Sequence, residues 1–326
     1  MRILVTGATG KIGSSVAKRL LERGDRVVAL VRHPERARAL LAPAVELARG
    51  DVTAPASLRA AAEGVDAVVS CMGIFEQWTA DPDLFNRVNA AGARDVVRAA
   101  REAGASRVVH TSTFDVFDAG PGGTVSESRL ADYEKGTPYE RSKQLAERVV
   151  LAEAKRGIEV VLVNPAGIIG PGPFAEAGWD STLRDLIRGR LPVVPPGGMT
   201  LTWVEDAAEA HVAALDRGRS GERYIVADGY ASLREICEVA VDEAGRGRIP
   251  RVLPESLARG LARGGEAVAR LTGRPPLLPR GQLEFLLWRA RADSSKAREE
   301  LGIEPLDWRE SVRRTARWIV DEGHAK

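Results

Sequence analysis

A chain of 326 residues, 44% of them apolar, has material for a large buried core, so disorder is not its default state. Lysine and arginine outnumber aspartate and glutamate by only 47 to 45, which leaves no electrostatic footprint for nucleic acid; an anion must be met by a local site. Cys71 and Cys237 lie outside any CxxC spacing, the four histidines (His33, His110, His211, His324) are scattered, no apolar run nears the roughly 20 residues of a membrane span, and a strand starting at Arg2 leaves no room for a signal peptide, so a metal-free cytoplasmic protein with neither a nucleic-acid nor a membrane partner is expected.

The opening RILVT reads as a buried strand that turns through TGATGKIG into the helical KIGSSVAKRLLERG. Gly7, Gly10 and Gly13 then serve a tight turn, close approach of backbone to a pyrophosphate, and close helix-to-strand packing, with Thr9, Lys11 and Ile12 in the same turn. Glycines collect in turns for conformational reasons alone, but a strand before, a helix after and a second strand at RVVALV point to dinucleotide binding. At the end of that second strand, where a carboxylate would accept from the ribose 2′-hydroxyl of NAD, stands Arg32, whose guanidinium suits a 2′-phosphate; NADP(H) is therefore expected over NAD(H). Arg36 and Arg38 beyond it either assist or are surface charge. Asp51, in RGDVTAP with Val52, either meets the adenine or belongs to a helix N-cap region.

The same strand and helix rhythm continues through VELARG, ASLRAAAEG and DAVVSC, a helix over about Asn86 to Ala103, RVVHTS, the helix carrying YERSKQLAERVVLAEAKRG, and EVVLVNP. Apolar strands separated by helices predict an α/β fold with a doubly wound parallel sheet, Rossmann-type. The fifth strand ends in Thr111, Ser112 and Thr113, at the sheet edge where such folds bind ligands; these hydroxyls either donate to a substrate oxygen or cap a loop. Tyr139 and Lys143 stand at i and i+4 on one helix face, where an ammonium favours the ionised phenol and fits Tyr139 for proton transfer to or from an oxygen. A mere surface pair is the competing reading.

After Pro165 the texture changes, since IIGPGPF, LPVVPPGG and GRPPLLP are dense in proline and glycine. MTLTWV, a helix from about Glu205 to Arg217 and the strand RYIVA interrupt this stretch, with RYIVA a candidate to return to the main sheet. The tail reads as helices, with Leu301, Trp308, Val312, Ala316 and Ile319 as core. Residues 1–164, with contributions from about 200–227, are thus expected to form the dinucleotide-binding domain, and 165–199 with 228–326 a smaller, loop-rich substrate-binding region.

TGATGKIG, HTSTFDVF, PYERSK, VNPAGIIGPG, WVEDAAEAHVAAL and GERYIVADG follow one another as in the extended short-chain dehydrogenase/reductase superfamily, the NAD-dependent epimerase/dehydratase family, which the sequence resembles along nearly its whole length. Within it the chain looks most like the dihydroflavonol-4-reductase-like branch, which includes hopanoid-associated sugar epimerases. The resemblance implies Tyr139 as acid/base, Lys143 as its activator and a holder of the nicotinamide ribose, Thr113 as the hydroxyl partner, and Asn89 as a support of the active site. It also implies Pro165, Ala166 and Ile168 along the nicotinamide, Cys71, Met72 and Gly73 beside the adenosine ribose, and a homodimer paired through the Tyr139 helix and the helix near Asn89. The sequence departs from the family pattern at Val116-Phe117-Asp118, where Tyr and Gly are usual, and near Met199, where nucleotide-sugar epimerases carry an arginine for a diphosphate. A small non-nucleotide ketone, aldehyde or secondary alcohol is the expected substrate, with Phe75, Trp78, Phe114, Phe174, Trp179 and Trp203 as candidate pocket walls; plain core is the competing reading of these aromatics. The expected activity is NADP(H)-dependent carbonyl reduction. The alternatives are an epimerase or dehydratase that retains its cofactor and an inactive NADP-sensing protein.

Overall fold

The computed structural model describes residues 1–75, 78–79, 81–173 and 178–324. Strand β1 (Arg2–Thr6) leads to helix α1 (Lys11–Glu22), β2 (Arg26–Val31) to α2 (Pro34–Arg38), and β3 (Glu46–Arg49) to α3 (Pro55–Ala62). β4 (Ala67–Ser70) is followed by α4 (Asp83–Phe85), a π-helical stretch (Asn86–Gly92) and α5 (Ala93–Glu102), so the expected helix over Asn86 to Ala103 is a composite of two windings. Next come β5 (Arg107–Thr111), β6 (Thr124–Val125), α6 (Pro138–Ala154), β7 (Glu159–Pro165), β8 (Gly167–Ile169), α7 (Trp179–Ile187), β9 (Val193–Val194), β10 (Gly198–Trp203) and α8 (Val204–Asp216). The chain closes with β11 (Arg223–Val226), β12 (Gly229–Ser232), α9 (Leu233–Ala244), β13 (Arg251–Val252), α10 (Glu255–Thr272), α11 (Arg280–Trp288), β14 (Arg291–Ala292) and α12 (Trp308–Asp321).

Short β-branched runs make the strands, and they line up in parallel as a seven-stranded sheet in the order β11-β7-β5-β4-β1-β2-β3. From β1 the chain first winds outward through β2 and β3, then returns to the other side at β4. That reversal opens a crevice at the carboxyl ends of β1 and β4, where ligands of doubly wound sheets sit. One face of the sheet is covered by α1 and α8, around Val16, Leu20, Ala210 and Ala214; the other by α3, α5 and α6, around Leu58, Val96, Val97 and Val150.

The segment from 200 to 227 divides between the layers. α8 and β11 serve the main sheet, whereas β10 lies between β8 and β12 in a separate three-stranded sheet. That second sheet packs with α7, α9 and α12 over Leu183, Leu201, Ile236, Trp308 and Ile319.

Candidate active site

At the end of β1 the backbone of Gly7 adopts φ +69°, and a Cβ there would stand 2.7 Å from the carbonyl of Cys71. A Cβ on Gly13 would come within 2.2 Å of the Gly7 carbonyl oxygen, so the turn and α1 can touch only through glycine. Gly10 caps α1 in extended conformation, with no side-chain cap and no acidic residue in the first turn. The first N–H groups of the helix therefore face outward as an anion cradle. Thr9 and Ile12 flank it half-buried. The Lys11 ammonium is engaged elsewhere: it pairs with the buried Asp180 carboxylate, donates to the Gly170 carbonyl and lies 5.1 Å from the centre of the Trp318 ring. Burial pushes it down to about 7, while the adjoining Asp180 favours its charged form.

Arg32 follows β2 at the open edge, exposed. It faces Asp51, whose carboxyl burial alone would raise; the Thr53 N–H and hydroxyl and the Arg32 guanidinium together hold it below the usual carboxylate range. Asp51 accepts from Thr53 N at 2.8 Å and Thr53 Oγ1 at 2.7 Å, a turn of its own, and α3 is capped instead by Ala54 with Pro55 at its first position. Val52 packs against Gly92, and Met72 is buried beside it. Burial pushes the Cys71 thiol up to about 12, which keeps it a neutral packing group.

The catalytic candidates meet behind Gly73. Helix α6 starts with a reciprocal capping box, in which Thr137 Oγ1 accepts from Glu140 N (3.1 Å) and Glu140 Oε2 from Thr137 N (2.8 Å), with Pro138 at the first turn. This fixes Tyr139 and Lys143 one turn apart, both buried. The Tyr139 ring stands edge-on to Phe85 with centroids 6.5 Å apart. Lys143 Nζ donates to the Thr111 carbonyl at 3.0 Å, and a Cβ on Gly73 would lie 3.4 Å from it. Burial, opposed chiefly by the Glu147 carboxylate, lowers its ammonium to about 8.

Asn89, from the π-helical stretch, ties these pieces together. Its Oδ1 accepts from Ile74 N (2.7 Å), and its Nδ2 donates to Ile74 O and to Ser142 Oγ (both 3.0 Å). Ser142 in turn donates to the Tyr139 carbonyl at 2.6 Å. The wider winding turns Asn89 inward, a common use of π-bulges at working sites. Of the three hydroxyls at the end of β5, Thr111 turns into the protein and meets His211 Nε2 at 2.6 Å. His211 Nδ1 meets the Ala207 carbonyl at 2.6 Å, so Nδ1 carries the proton and Nε2 accepts from Thr111; burial pushes the ring down to about 4 and keeps it neutral. Ser112 Oγ is buried with no partner among the described residues. Thr113 Oγ1 accepts from Asp115 N at 3.3 Å, and its hydroxyl also meets the Asp115 carboxyl.

His211 and Asp115 are the partners that sequence reasoning missed. Asp115 is buried with Oδ1 unpartnered among the described residues, and burial, with Glu140 nearby, pushes it up to about 7 against Lys135, Thr113 and Lys143. His211 stood in the quoted WVEDAAEAHVAAL, yet only the fold brings it to Thr111, a hundred residues away. Pro165 ends β7 buried, Ala166 N donates to Thr202 Oγ1 at 2.9 Å, and Ile168 pairs with Thr202 across β8 and β10.

A cleft of about 1020 Å³ opens beside the start of α6, walled by Trp78, Phe85, Pro138, Phe285 and Trp288. Of the expected pocket walls, Trp78 lines it. Phe114 is instead sealed beneath Phe285 and Trp288 (centroids 6.0 and 5.4 Å), and Trp203 is buried where β10 meets α8: both are core, because their strand-end positions face the packed layer. Trp179 packs half-buried on the second core, Phe75 is exposed, and Phe174 lies outside the described residues. Phe117 is fully buried, and Asp118 accepts from Tyr133 (2.9 Å) and pairs with Arg129 (2.6 Å), so this turn manages without glycine. Met199 fills the space over Gly167 and is itself buried.

The profile of the NAD dependent epimerase/dehydratase family matches residues 3–227. The chain belongs to the NAD-dependent epimerase/dehydratase family. Sterol demethylase protein B of Methylococcus capsulatus is 33% identical over 326 residues, covering 99% of each chain. A putative dihydroflavonol 4-reductase of Synechocystis is 28% identical over 99% of this chain and 95% of its own. Among solved structures, that of gox2253 superposes with a TM-score of 0.80 at 31% identity, covering 99% of both chains. A nicotinamide cofactor follows from family membership, and the glycine turn, which any Cβ would close, fits its phosphates. Among the described residues there is no group of histidine, cysteine and carboxylate side chains that could hold a metal.

Proposed function

We propose that this protein interconverts a carbonyl and a secondary alcohol on an apolar, non-nucleotide substrate, using NADP(H) and Tyr139 as the acid/base. The observation that carries the reading is the buried Lys143 ammonium, bound to the Thr111 carbonyl one helical turn from Tyr139 and across Gly73 from Asn89. The glycine turn of 7 to 13 would hold the pyrophosphate, Arg32 the 2′-phosphate, Asp51 and Val52 the adenine side, residues 71–73 the adenosine ribose, Lys143 the nicotinamide ribose, and Pro165 to Ile168 the ring. When bound, the nicotinamide supplies or accepts the hydride.

Tyr139 gives its phenolic proton to the carbonyl oxygen during reduction and takes it back during oxidation. Lys143, a cation in a dry setting, favours the phenolate left behind. Thr113 turns its hydroxyl from the Asp115 carboxyl to the same oxygen, and the Asn89–Ser142 chain keeps the helix start and the 73–74 backbone in register. Preference for NADP(H) is supported by an exposed guanidinium at the end of β2, where a 2′-phosphate gains a charge-assisted partner. A non-nucleotide substrate is supported by the buried Met199, which offers a diphosphate nothing. Relatives named for sterol demethylation and dihydroflavonol reduction agree with that class. Val88, Leu145 and Val149 are only partly covered by the core they pack on, and the apolar surface they leave on the Asn89 and Tyr139 helices supports pairing of two copies there.

Tyr139→Phe tests the chemistry. NADPH-dependent turnover of an apolar ketone is expected to fall by about 10²–10⁴-fold, with NADPH binding, read by cofactor fluorescence, unchanged and tighter than NADH binding. Undiminished turnover in the variant removes the mechanism. Cofactor that stays bound while product forms without net NADPH consumption moves the protein to the epimerases.

A further inference from the structure

Helix α10 buries three of its four alanines and exposes its leucines. Ala258, Ala262 and Ala269 face inward toward Leu283 of α11, while Leu257, Leu261, Val268 and Leu271 lie outward on one stripe at spacings of 4, 7 and 3. This inverts the ordinary surface helix, whose large apolar side chains seek the core. Of thirteen large apolar side chains that the described residues leave exposed, seven fall between Ile249 and Leu277, and an eighth, Val193, lies on β9, paired with β13. Leu271 is 88% exposed, and Leu277, in the proline-rich connection to α11, is fully so. Scattered surface leucines are unremarkable, but a cluster on one helix and its flanks marks a contact.

The charge of this segment is equally skewed. Residues 246–280 hold eight arginines and two glutamates, six net positive charges in a chain whose total is two. Arg259 is paired with Glu255 and Glu284, and Arg270 with Glu266. Arg246, Arg248, Arg251, Arg263 and Arg274 are exposed and have no carboxylate partner among the described residues.

The geometry points to a docking face for an anionic lipid bilayer, formed by β13, α10 and the 273–279 connection, with the leucines entering the acyl boundary and the arginines at the phosphates. Leucines projecting singly from a convex helix and a loop tip suit a fluid apolar phase. A second copy is disfavoured, because an isologous contact would set six excess positive charges against six. No helix of the described residues is long and apolar enough to cross a membrane, and lying on a surface is a different requirement from spanning it. The inner side of α10, with α11 beside it, walls the cleft: Arg259 and Ala269 of α10 and Glu284 and Trp288 of α11 line it together with Pro138. A docked molecule thereby opens the cleft beside the bilayer, a route for an amphiphilic substrate; that last link rests on the proposed reduction, whereas docking does not.

Co-sedimentation of the full chain with vesicles of phosphatidylcholine, with and without phosphatidylglycerol, tests it. The protein is expected to pellet with the anionic vesicles, to be released by high salt, and to remain largely in solution with phosphatidylcholine alone. Leu271→Glu with Leu277→Glu should weaken vesicle binding at least about tenfold, while turnover of a short, water-soluble ketone stays unchanged and certifies the fold. A chain that stays in the supernatant with anionic vesicles overturns the proposal, as does a double variant that binds like the parent. So does a concentration-dependent dimer that the double variant abolishes, which would give the face to a second copy. Vesicle binding without any ketone turnover would retain docking and sink the proposed reduction.

Discussion

The Lys143 side chain sets the pH at which the site can work. An ammonium loses solvation when buried, and here the nearby carboxylate of Glu147 offsets only part of that loss, so its value falls from that of a free lysine to about 8. The charged form is the useful one, because it favours the Tyr139 phenolate. Below about 8 the cation is present; as pH rises through 8 it is lost, and kcat/KM for reduction should fall with it. Lys143→Arg keeps its charge throughout this range. The variant is expected to be slower through altered geometry, yet without the alkaline limb near 8. An identical limb in both proteins would assign that titration to another group. His211 illustrates what a residue cannot tell by itself: its ring is neutral because it is buried, and structural because Thr111 and the Ala207 carbonyl hold both nitrogens.

Each element delivers its residue through its own ends. The capping box at Thr137 fixes the first turn of α6, and Tyr139 sits in that turn. Thr137→Ala should cost about 1 kcal/mol of stability, measured by denaturant unfolding, and should lower kcat more than it raises KM, since the phenol loses its fixed position. Loss of stability with kcat intact would separate the cap from the chemistry. The strands, the glycine turn and the Tyr139–Lys143 pair were legible in the sequence because each is written in neighbouring residues, by period, by glycine spacing or by i,i+4 placement. The π-helical winding over 86–92 was not, because it differs from an α-helix by the way Asn89 is drawn toward Ile74 and Ser142, contacts reaching 15 and 53 residues along the chain. Phe114 and Trp203 read as pocket walls for a related reason. An aromatic near a strand end can face the cleft or the core, and only the layer that covers it decides.

The chain passes between the main sheet and the three-stranded sheet at β7–β8, at β10–α8 and at β11–β12, and the last of these corners holds a buried acid. Asp228 lies between β11 of the main sheet and β12 of the second, and its Oδ2 accepts from Ser311 of α12 at 2.7 Å, while Oδ1 has no partner among the described residues. Burial, reinforced by the Asp206 and Asp307 carboxylates and opposed by Ser311 and the Trp203 N–H, pushes it up to about 8. In the unfolded chain the same carboxyl ionises near 3.8. Between these values the folded state binds a proton that the unfolded state has released, so stability falls as pH rises from about 4 to about 8, by up to about 1.4 kcal/mol per pH unit for this group alone. Below 4 both states hold the proton and above 8 neither does, and the contribution is flat in both ranges. Asp228→Asn keeps an acceptor for the Ser311 hydroxyl and removes the titration. Its stability relative to the parent should therefore rise steadily from about pH 5 to about pH 8, as read by denaturant midpoints across that range. Parallel curves for the two proteins would mean that Asp228 is ionised in the folded corner and that water or a shifted backbone supplies the missing partner.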